Sequence, residues 1–372
     1  MSELHLAVAL DGAGWHPAAW REPGARPAEL FTARYWADVV AEAEAGLLDF
    51  VTFEDALALQ SSSATAPDER TDQVRGRLDA VLTAARVAPL TRHIGLVPSV
   101  TATHTEPFHV SKAIATLDYV SRGRAGLRVQ TSTLPHEAAH FGRRTFPVPV
   151  GEPAAEAADH VEVVRRLWDS WEDDAEVRDV ATGRFLDRAK LHHIDFTGPY
   201  FSVRGPSITP RPPQGQPLVT ASAGTVAPGG GSVDLVYVTP RDAEEARAAA
   251  DSARSPHVFA DLTVFLDGDG PAAAARRERL DALAGQPAPT DAAVFTGTPA
   301  GLAGLLLRWR AEGLTGFRLR PAVLAHDLPL ITRGLVPELQ RRGAFRTAYG
   351  APSLRGLLGL DRPASRYAAT SA

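Results

Sequence analysis

The chain has 372 residues, a formal net charge of −5 and 44% hydrophobic residues, a composition that is typical of globular proteins. The charge balance weighs against a nucleic-acid partner, and the absence of cysteine excludes disulfides, thiolate catalysis and sulfur-ligated metals. Because no stretch of eighteen apolar residues and no basic leader is present, we expect a cytoplasmic protein without a membrane span, and we expect no metal site.

Eight β-rich apolar runs alternate with helix-patterned segments along most of the chain. The runs lie at 4–10, 49–55, 93–100, 124–132, 217–222, 234–239, 257–266 and 316–321. Eight strands that alternate with helices predict an α/β protein with a (β/α)8 TIM barrel.

Two connections depart from this alternation. Residues 173–216 are rich in Pro, Gly, Asp and Arg and are too many for a plain connection, so we expect an excursion over the barrel mouth. SAGTVAPGGGSV (222–233) leaves no room for a helix, so one crossover helix is expected to be reduced or lost, with the glycines 229–231 in a turn. We therefore expect one barrel over 1–343 and a tail, 344–372, that packs on the barrel or on a partner subunit.

The candidates for chemistry follow the strands, because the active site of such a barrel forms where its strands end. They are Asp11, His16, Glu54, Asp55, Ser99, Thr101, Thr103, His104, Arg128, Gln130, Thr131, Ser132, Ser222, Thr225 and Arg320. Adjacent residues of a strand point to opposite faces, so only one of Glu54 and Asp55 can face the site. A hydrolase with two catalytic carboxylates is therefore poorly supported. For His16 and His104, structural and functional roles are equally open.

Eight segments together carry a family resemblance in the family's own order. They are GWHPAAWR (14–21), LLDFVTFED (47–55), the stretch 77–126, VEVVRRLWDSWEDDA (161–175), HHIDFTGPYFSVRGP (192–206), PPQGQP (212–217), 297–317 and 336–360. The chain thereby resembles the bacterial-luciferase-like flavin monooxygenases. The nearest branch contains the nitrilotriacetate, dibenzothiophene-sulfone and pristinamycin-type monooxygenases.

This resemblance implies a luciferase-like barrel that assembles as a homodimer or a tetramer, and we expect a homodimer. It also implies a two-component monooxygenase, in which reduced FMN from a separate NAD(P)H:flavin reductase and dioxygen oxygenate a small organic substrate. The positions that match the family's flavin contacts are Asp55, Ser99, Thr101, Thr103, Thr131, Ser132 and Thr225. The positions expected to meet substrate are His16, His104 and Arg128.

Three flavin positions differ from the family pattern. Arg128 replaces an Asn in the fourth strand, and Pro153 and Ala154 replace an Arg-Tyr pair at the start of the fourth helix. The turn after the fifth strand is shorter than the family's Q-A-G-x-S-x-x-G turn. Two alternatives therefore stay open. One is an enzyme that uses a deazaflavin or a differently seated flavin. The other is a cofactor-free relative, either a binding or accessory protein or an enzyme of changed chemistry.

Overall fold

The computed structural model describes residues 4–63, 66–227 and 233–367. Its strands are β1 (His5–Leu10), β2 (Phe50–Phe53), β3 (Gly95–Thr101), β4 (Gly126–Gln130), β5 (Glu176–Asp179), β6 (Arg184–Leu186), β7 (Phe196–Thr197), β8 (Ser202–Val203), β9 (Leu218–Ser222), β10 (Leu235–Val238), β11 (His257–Leu266), β12 (Ala293–Gly297) and β13 (Gly316–Pro321). All eight predicted runs form strands of one parallel sheet in the order β1-β2-β3-β4-β9-β10-β11-β13, and β13 pairs with β1. The predicted closed barrel is confirmed.

The helices pack around the barrel. They are α1 (Ala33–Ala45), α2 (Ala80–Val87), α3 (Pro107–Ser121), α4 (Pro135–Phe141), α5 (Glu152–Asp169), α6 (Ala243–Ser252), α7 (Gly270–Ala284), α8 (Pro299–Ala311), α9 (Leu324–Leu330), α10 (Val336–Arg341) and α11 (Leu354–Leu357). Asp and Thr side chains cap several of them; for example, the carboxylate of Asp79 accepts a hydrogen bond from the amide of Leu82 at 2.7 Å. Within the described ranges, no helix combines the length and the apolar character that a membrane span requires.

One strand of the sheet was not predicted from the sequence. The ten residues of β11 pair with β10 through the first part of the strand and with β12 through the second part, from Leu262 opposite Ala293 to Leu266 opposite Gly297. β12 is only five residues long and follows a segment that contains Pro287 and Pro289. So short a run of apolar residues is not distinguishable by periodicity from the start of the following helix.

The segment 173–216 lies along the outside of the barrel rather than over its mouth. Trp171 donates its indole N–H to the carbonyl of Ser207 at 2.7 Å, and Arg211 donates to Asp169 at the end of α5. Ile194 packs against Val163 and Leu167 on the outer face of α5. The predicted excursion over the barrel mouth is not formed, because α5 returns the chain to the face where the strands begin. A connection that follows α5 therefore starts on that face.

The connection between β9 and β10 is short. In the described residues on either side, 223–227 and 233–234, no helix is present. The predicted glycine turn at 229–231 lies outside the described residues.

The interior of the barrel changes character from one end to the other. Near the face where strands begin, inward-pointing side chains form an apolar layer of Ala7, Phe50, Val97, Leu218, Leu235, Tyr237 and Phe259. Further toward the mouth, the inward positions of six of the eight strands carry polar and charged groups, namely Thr52, Ser99, Arg128, Thr220, Asp261 and Arg318. Since barrel interiors are usually filled by branched apolar residues, a charged upper half indicates a functional role.

The tail closes the apolar end of the barrel. Leu354 and Leu358 join the apolar layer, and a Cβ atom on Gly95 would lie 2.6 Å from Cδ1 of Leu354. Arg346 pairs with the fully buried carboxylate of Asp49. Residues 344–367 thus contact the barrel over the face opposite the mouth.

Candidate active site at the barrel mouth

A cavity of about 310 Å³ opens at the end of the barrel where the strands finish. The loops after β1 and β2 form most of its wall, and α4 completes it. The larger apolar side chains of the wall are Trp15, Pro17, Trp20, Leu59, Val74 and Leu134, and its titratable residues are Asp11, His16, Arg77, His136 and Glu137. This volume suits a small organic molecule.

Most polar groups of this wall are engaged by other protein groups. Arg77 binds Asp11 through Nη2 at 3.0 Å and Nε at 3.3 Å. Burial raises the pKa of Asp11, although the guanidinium of Arg77 opposes this effect. The indole N–H of Trp15 donates to the carbonyl of Ala9, and that of Trp20 donates to the carbonyl of Asp72.

Arg128 lies inside the barrel, in the charged layer near the mouth. Its Nη1 donates to Oε2 of Glu54 at 2.9 Å, to Oγ of Ser99 at 3.0 Å and to Oε1 of Gln130 at 3.1 Å. Its Nε is buried and has no hydrogen-bond partner among the residues that the structure describes. The guanidinium is therefore fixed in place but keeps one donor free.

A second arginine extends this ionic network across the barrel. Arg318 is fully buried and donates to both oxygens of Asp261, at 2.8 and 2.6 Å, and to Oε1 of Glu54 at 3.0 Å. Its Cζ lies 3.9 Å from the ring centre of Tyr237. Arg320 also donates to Asp261, and its guanidinium covers the ring of Trp15 at 4.4 Å. Trp15 thus connects the network to the mouth cavity.

The carboxylates of this network are held ionised. Burial by itself would raise the pKa of Glu54, but the guanidinium groups of Arg128 and Arg318 outweigh it and hold that pKa below its usual value. For Asp261, burial is likewise outweighed by Arg318 and Arg320, so its pKa is lowered to about 2. The charged layer therefore stays charged at neutral pH.

The two predicted histidines occupy different places. His16 lines the mouth cavity, accepts the amide of Ala18 at Nδ1 and contacts Asp281 through Nε2 at 3.1 Å, which places its proton on Nε2. Burial lowers the pKa of His16. His104 lies outside that lining and stacks on Phe141 at 5.0 Å. Burial also lowers its pKa, and its Nε2 has no hydrogen-bond partner in the described part of the chain.

The rim formed by β3 and β4 brings several predicted flavin contacts together. Oγ1 of Thr101 accepts from the side-chain amide of Gln130 at 3.0 Å, and Oγ1 of Thr103 accepts from the backbone of Ser132 at 3.0 Å. Ser99 joins them through Arg128. Thr131, between Gln130 and Ser132, is half-buried.

Asp55 and Thr225 lie apart from this rim cluster. Asp55 points away from the barrel and accepts the backbone amides of Ala56 at 2.8 Å and Ala80 at 3.0 Å, so it caps the start of α2. Of the adjacent residues Glu54 and Asp55, Glu54 is the one that faces the barrel interior. Thr225 is part of a turn after β9, where its amide donates to the carbonyl of Ser222 at 3.0 Å.

The donor set of the rim and the network fits the ring of a flavin, whose edge carries several nitrogen and oxygen atoms. Arg128, Gln130 and Thr101 carry such donors and acceptors and would hold that edge. Two of the altered flavin positions, Ala154 and the turn after β9, match places where the family holds the flavin phosphate. Here the amide of Ala227 donates to the carbonyl of Ala154 at 3.1 Å. The described residues there offer main chain and a threonine hydroxyl instead of a cationic side chain.

Sequence reasoning missed three residues that the structure places at this site. Arg318 and Asp261 are inward positions of predicted strands, and simple alternation from Arg320 and Thr263 would have found them. Glu137 lies in α4, a seven-residue helix that the periodicity did not predict. No pattern in the sequence distinguishes Glu137 from a surface glutamate.

Comparison with known proteins agrees with the fold and identifies the family. The model of the luciferase-like monooxygenase family matches residues 14–313. Nitrilotriacetate monooxygenase component A of Aminobacter aminovorans is 32% identical, with 99% of each chain covered. N-acetyl-S-(2-succino)cysteine monooxygenase of Bacillus subtilis (strain 168) is 29% identical, with 98% of each chain covered. A crystal structure of a long-chain alkane monooxygenase shares the fold, with a TM-score of 0.85, 21% identity and 96% of each chain covered. The predicted oxidoreductase class is confirmed, and the chain belongs to the luciferase-like monooxygenase family.

Proposed function

We propose that this protein is the oxygenase component of a two-component, flavin-dependent monooxygenase. Reduced FMN from a separate NAD(P)H:flavin reductase supplies two electrons, so that one atom of dioxygen enters a small organic substrate and the other leaves as water. Membership of the family and the names of the relatives support this reaction. The observation that carries it is the buried Arg128 guanidinium, which keeps a free donor beside the polar rim of β3 and β4.

The charged layer of the barrel would hold the flavin ring. A permanent cation attracts the negative charge of a reduced flavin more strongly than it attracts a neutral oxidised ring. Ser99, Gln130 and Glu54 fix the orientation of Arg128, so little reorganisation is needed when the ring binds.

The mouth cavity would hold the substrate. Trp15, Leu59 and Leu134 form an apolar wall that keeps bulk water away from the reacting groups. His16 lines the same cavity, and its ring is held by contacts with Ala18 and Asp281. Because the ring is fixed, it would help to position the substrate.

The assembly and the cellular setting are also part of the proposal. We propose a homodimer that works in the cytoplasm and receives reduced flavin by diffusion from the reductase. Exposed apolar side chains in or beside the neighbouring helices α1 and α2, namely Phe31, Leu82 and Leu90, support an interface with a second copy.

An anaerobic titration of the purified protein with photoreduced FMN tests the proposed function. We expect saturable binding with a Kd of about micromolar or tighter, and much weaker binding of oxidised FMN. Upon mixing with dioxygen, the bound flavin should reoxidise with kinetics that differ from those of free flavin. A folded protein that binds neither form of FMN would overturn the proposal.

A further inference from the structure

Glu137 is a buried carboxylate in the wall of the mouth cavity. It is the third residue of α4, is 4% exposed and lines the cavity. Across the described ranges, it has neither a hydrogen bond nor an ion pair with another residue. Its carboxylate oxygens are not among the fully buried atoms, so in this otherwise buried side chain they open onto the cavity. Its missing partner therefore points to a ligand.

The charged groups around Glu137 do not neutralise it. His104 is the group with which it interacts electrostatically, and burial disfavours the protonated form of that imidazole. The two nearby arginines have carboxylates of their own. Arg143 pairs with Glu106, and Arg144 binds both oxygens of Glu156 at 2.6 Å.

The other charges of the cavity wall cancel. Arg77 is engaged with Asp11 through two hydrogen bonds, so it is not available to a ligand anion. The remaining wall is largely aromatic and aliphatic. The cavity consequently presents one carboxylate without a cationic partner beside an apolar surface.

We propose that the substrate is a small organic amine, whose apolar or aromatic body lies against Trp15 and Leu59 and whose ammonium group donates to Glu137. This inference rests on the proposed function, because it is that function which assigns the cavity to the substrate. An ammonium would give Glu137 the charge-assisted hydrogen bonds that the protein does not supply. The same carboxylate repels a molecule such as nitrilotriacetate, the tricarboxylate for which one relative is named.

Three probes of one shape and different charge test this inference without flavin. Isothermal titration calorimetry is carried out with phenethylamine, phenethyl alcohol and hydrocinnamate, at low salt and at neutral pH. We expect the amine to bind about tenfold more tightly than the alcohol and more tightly still than the carboxylate. The preference should shrink as the salt concentration rises.

Variants at position 137 identify the group responsible. Glu137→Gln keeps the size of the side chain and should reduce the preference for the amine to about threefold or less, with binding of the alcohol unchanged. Glu137→Asp keeps the charge and should retain most of the preference. Glu244→Gln makes the same change at an exposed position on α6 and should bind all three probes as the wild type does.

The outcomes separate this inference from the proposed function. Equal or tighter binding of hydrocinnamate, no binding of any probe, or an unchanged preference in Glu137→Gln would overturn the assignment of an amine. If the amine preference holds while reduced FMN does not bind, the proposed function fails and the cation-binding cavity stands.

Discussion

At the scale of single residues, the arrangement around Glu54 explains how the barrel tolerates charges in its interior. Glu54 accepts from both Arg128 and Arg318, and the hydroxyl of Thr52 donates to it at 2.7 Å. Removing one of the two arginines therefore leaves the carboxylate paired. The usual penalty of about 3–5 kcal/mol for an unpaired buried charge is thus avoided at this position.

The altered positions 153 and 154 lead to a prediction about flavin specificity. Because Pro153 and Ala154 carry no charge, reduced FMN and reduced riboflavin should bind within about tenfold of each other in anaerobic titrations. Ala154→Arg places a cation at this position and should increase the preference for FMN. A wild-type preference for FMN of a hundredfold or more would contradict this prediction, because it would require a strong phosphate contact at another place.

At the scale of elements, α5 contains a buried histidine that links stability to pH. His160 is 1% exposed, and burial lowers the pKa of its imidazole to about 3. The unfolded chain binds this proton near pH 6.5, whereas the folded chain does not, so stability is lost as the pH falls below 6.5.

His160→Leu removes that titration. We expect the free energy of unfolding of the variant, relative to the wild type, to increase by about 2 kcal/mol between pH 7 and pH 5 in urea denaturation. Phe201→Leu alters the ring that packs edge-on against His160 without removing a titratable group. The free energy of unfolding of Phe201→Leu should differ from that of the wild type by the same amount at pH 7 and at pH 5. If His160→Leu also shows the same difference at both pH values, His160 is not the group that links stability to pH.

The elements also show which features the sequence could predict. The eight barrel strands followed from apolar runs, because each is buried on both faces and reads as a nearly continuous apolar stretch. The course of residues 173–216 could not be predicted from the sequence, because its contacts at the end of α5, such as that of Trp171 with Ser207, depend on tertiary packing. The alignment with the relative from Aminobacter aminovorans spans 451 positions, so that relative carries segments that this chain lacks.

At the scale of the whole molecule, the barrel divides into an apolar end closed by the tail and a charged end that opens to the mouth. The sequence predicted Arg128, Ser99 and Glu54 at the charged end by their place in or after a strand, but it did not predict Arg318 and Asp261. It could not predict that Asp55 caps α2 while Glu54 enters the interior, because the direction of the two side chains depends on the register of β2.

The proposed homodimer is tested on the intact protein. Multi-angle light scattering at micromolar concentration should give about twice the chain mass of 39.6 kDa. Leu82 is 70% exposed on α2, and Leu82→Glu should shift the population toward the monomer. A wild-type mass that equals one chain would contradict the proposal.

Anaerobic titrations of the wild type and of Arg128→Met with reduced FMN show whether Arg128 contacts the flavin. If the Arg128 guanidinium holds the flavin ring, the variant should bind reduced FMN at least about thirtyfold more weakly, whereas the surface variant Arg34→Met should bind it as the wild type does. Both variants should unfold at similar denaturant concentrations, because Glu54 keeps Arg318 as a partner. Wild-type affinity in a folded Arg128→Met protein would show that the ring does not contact the charged layer of the barrel.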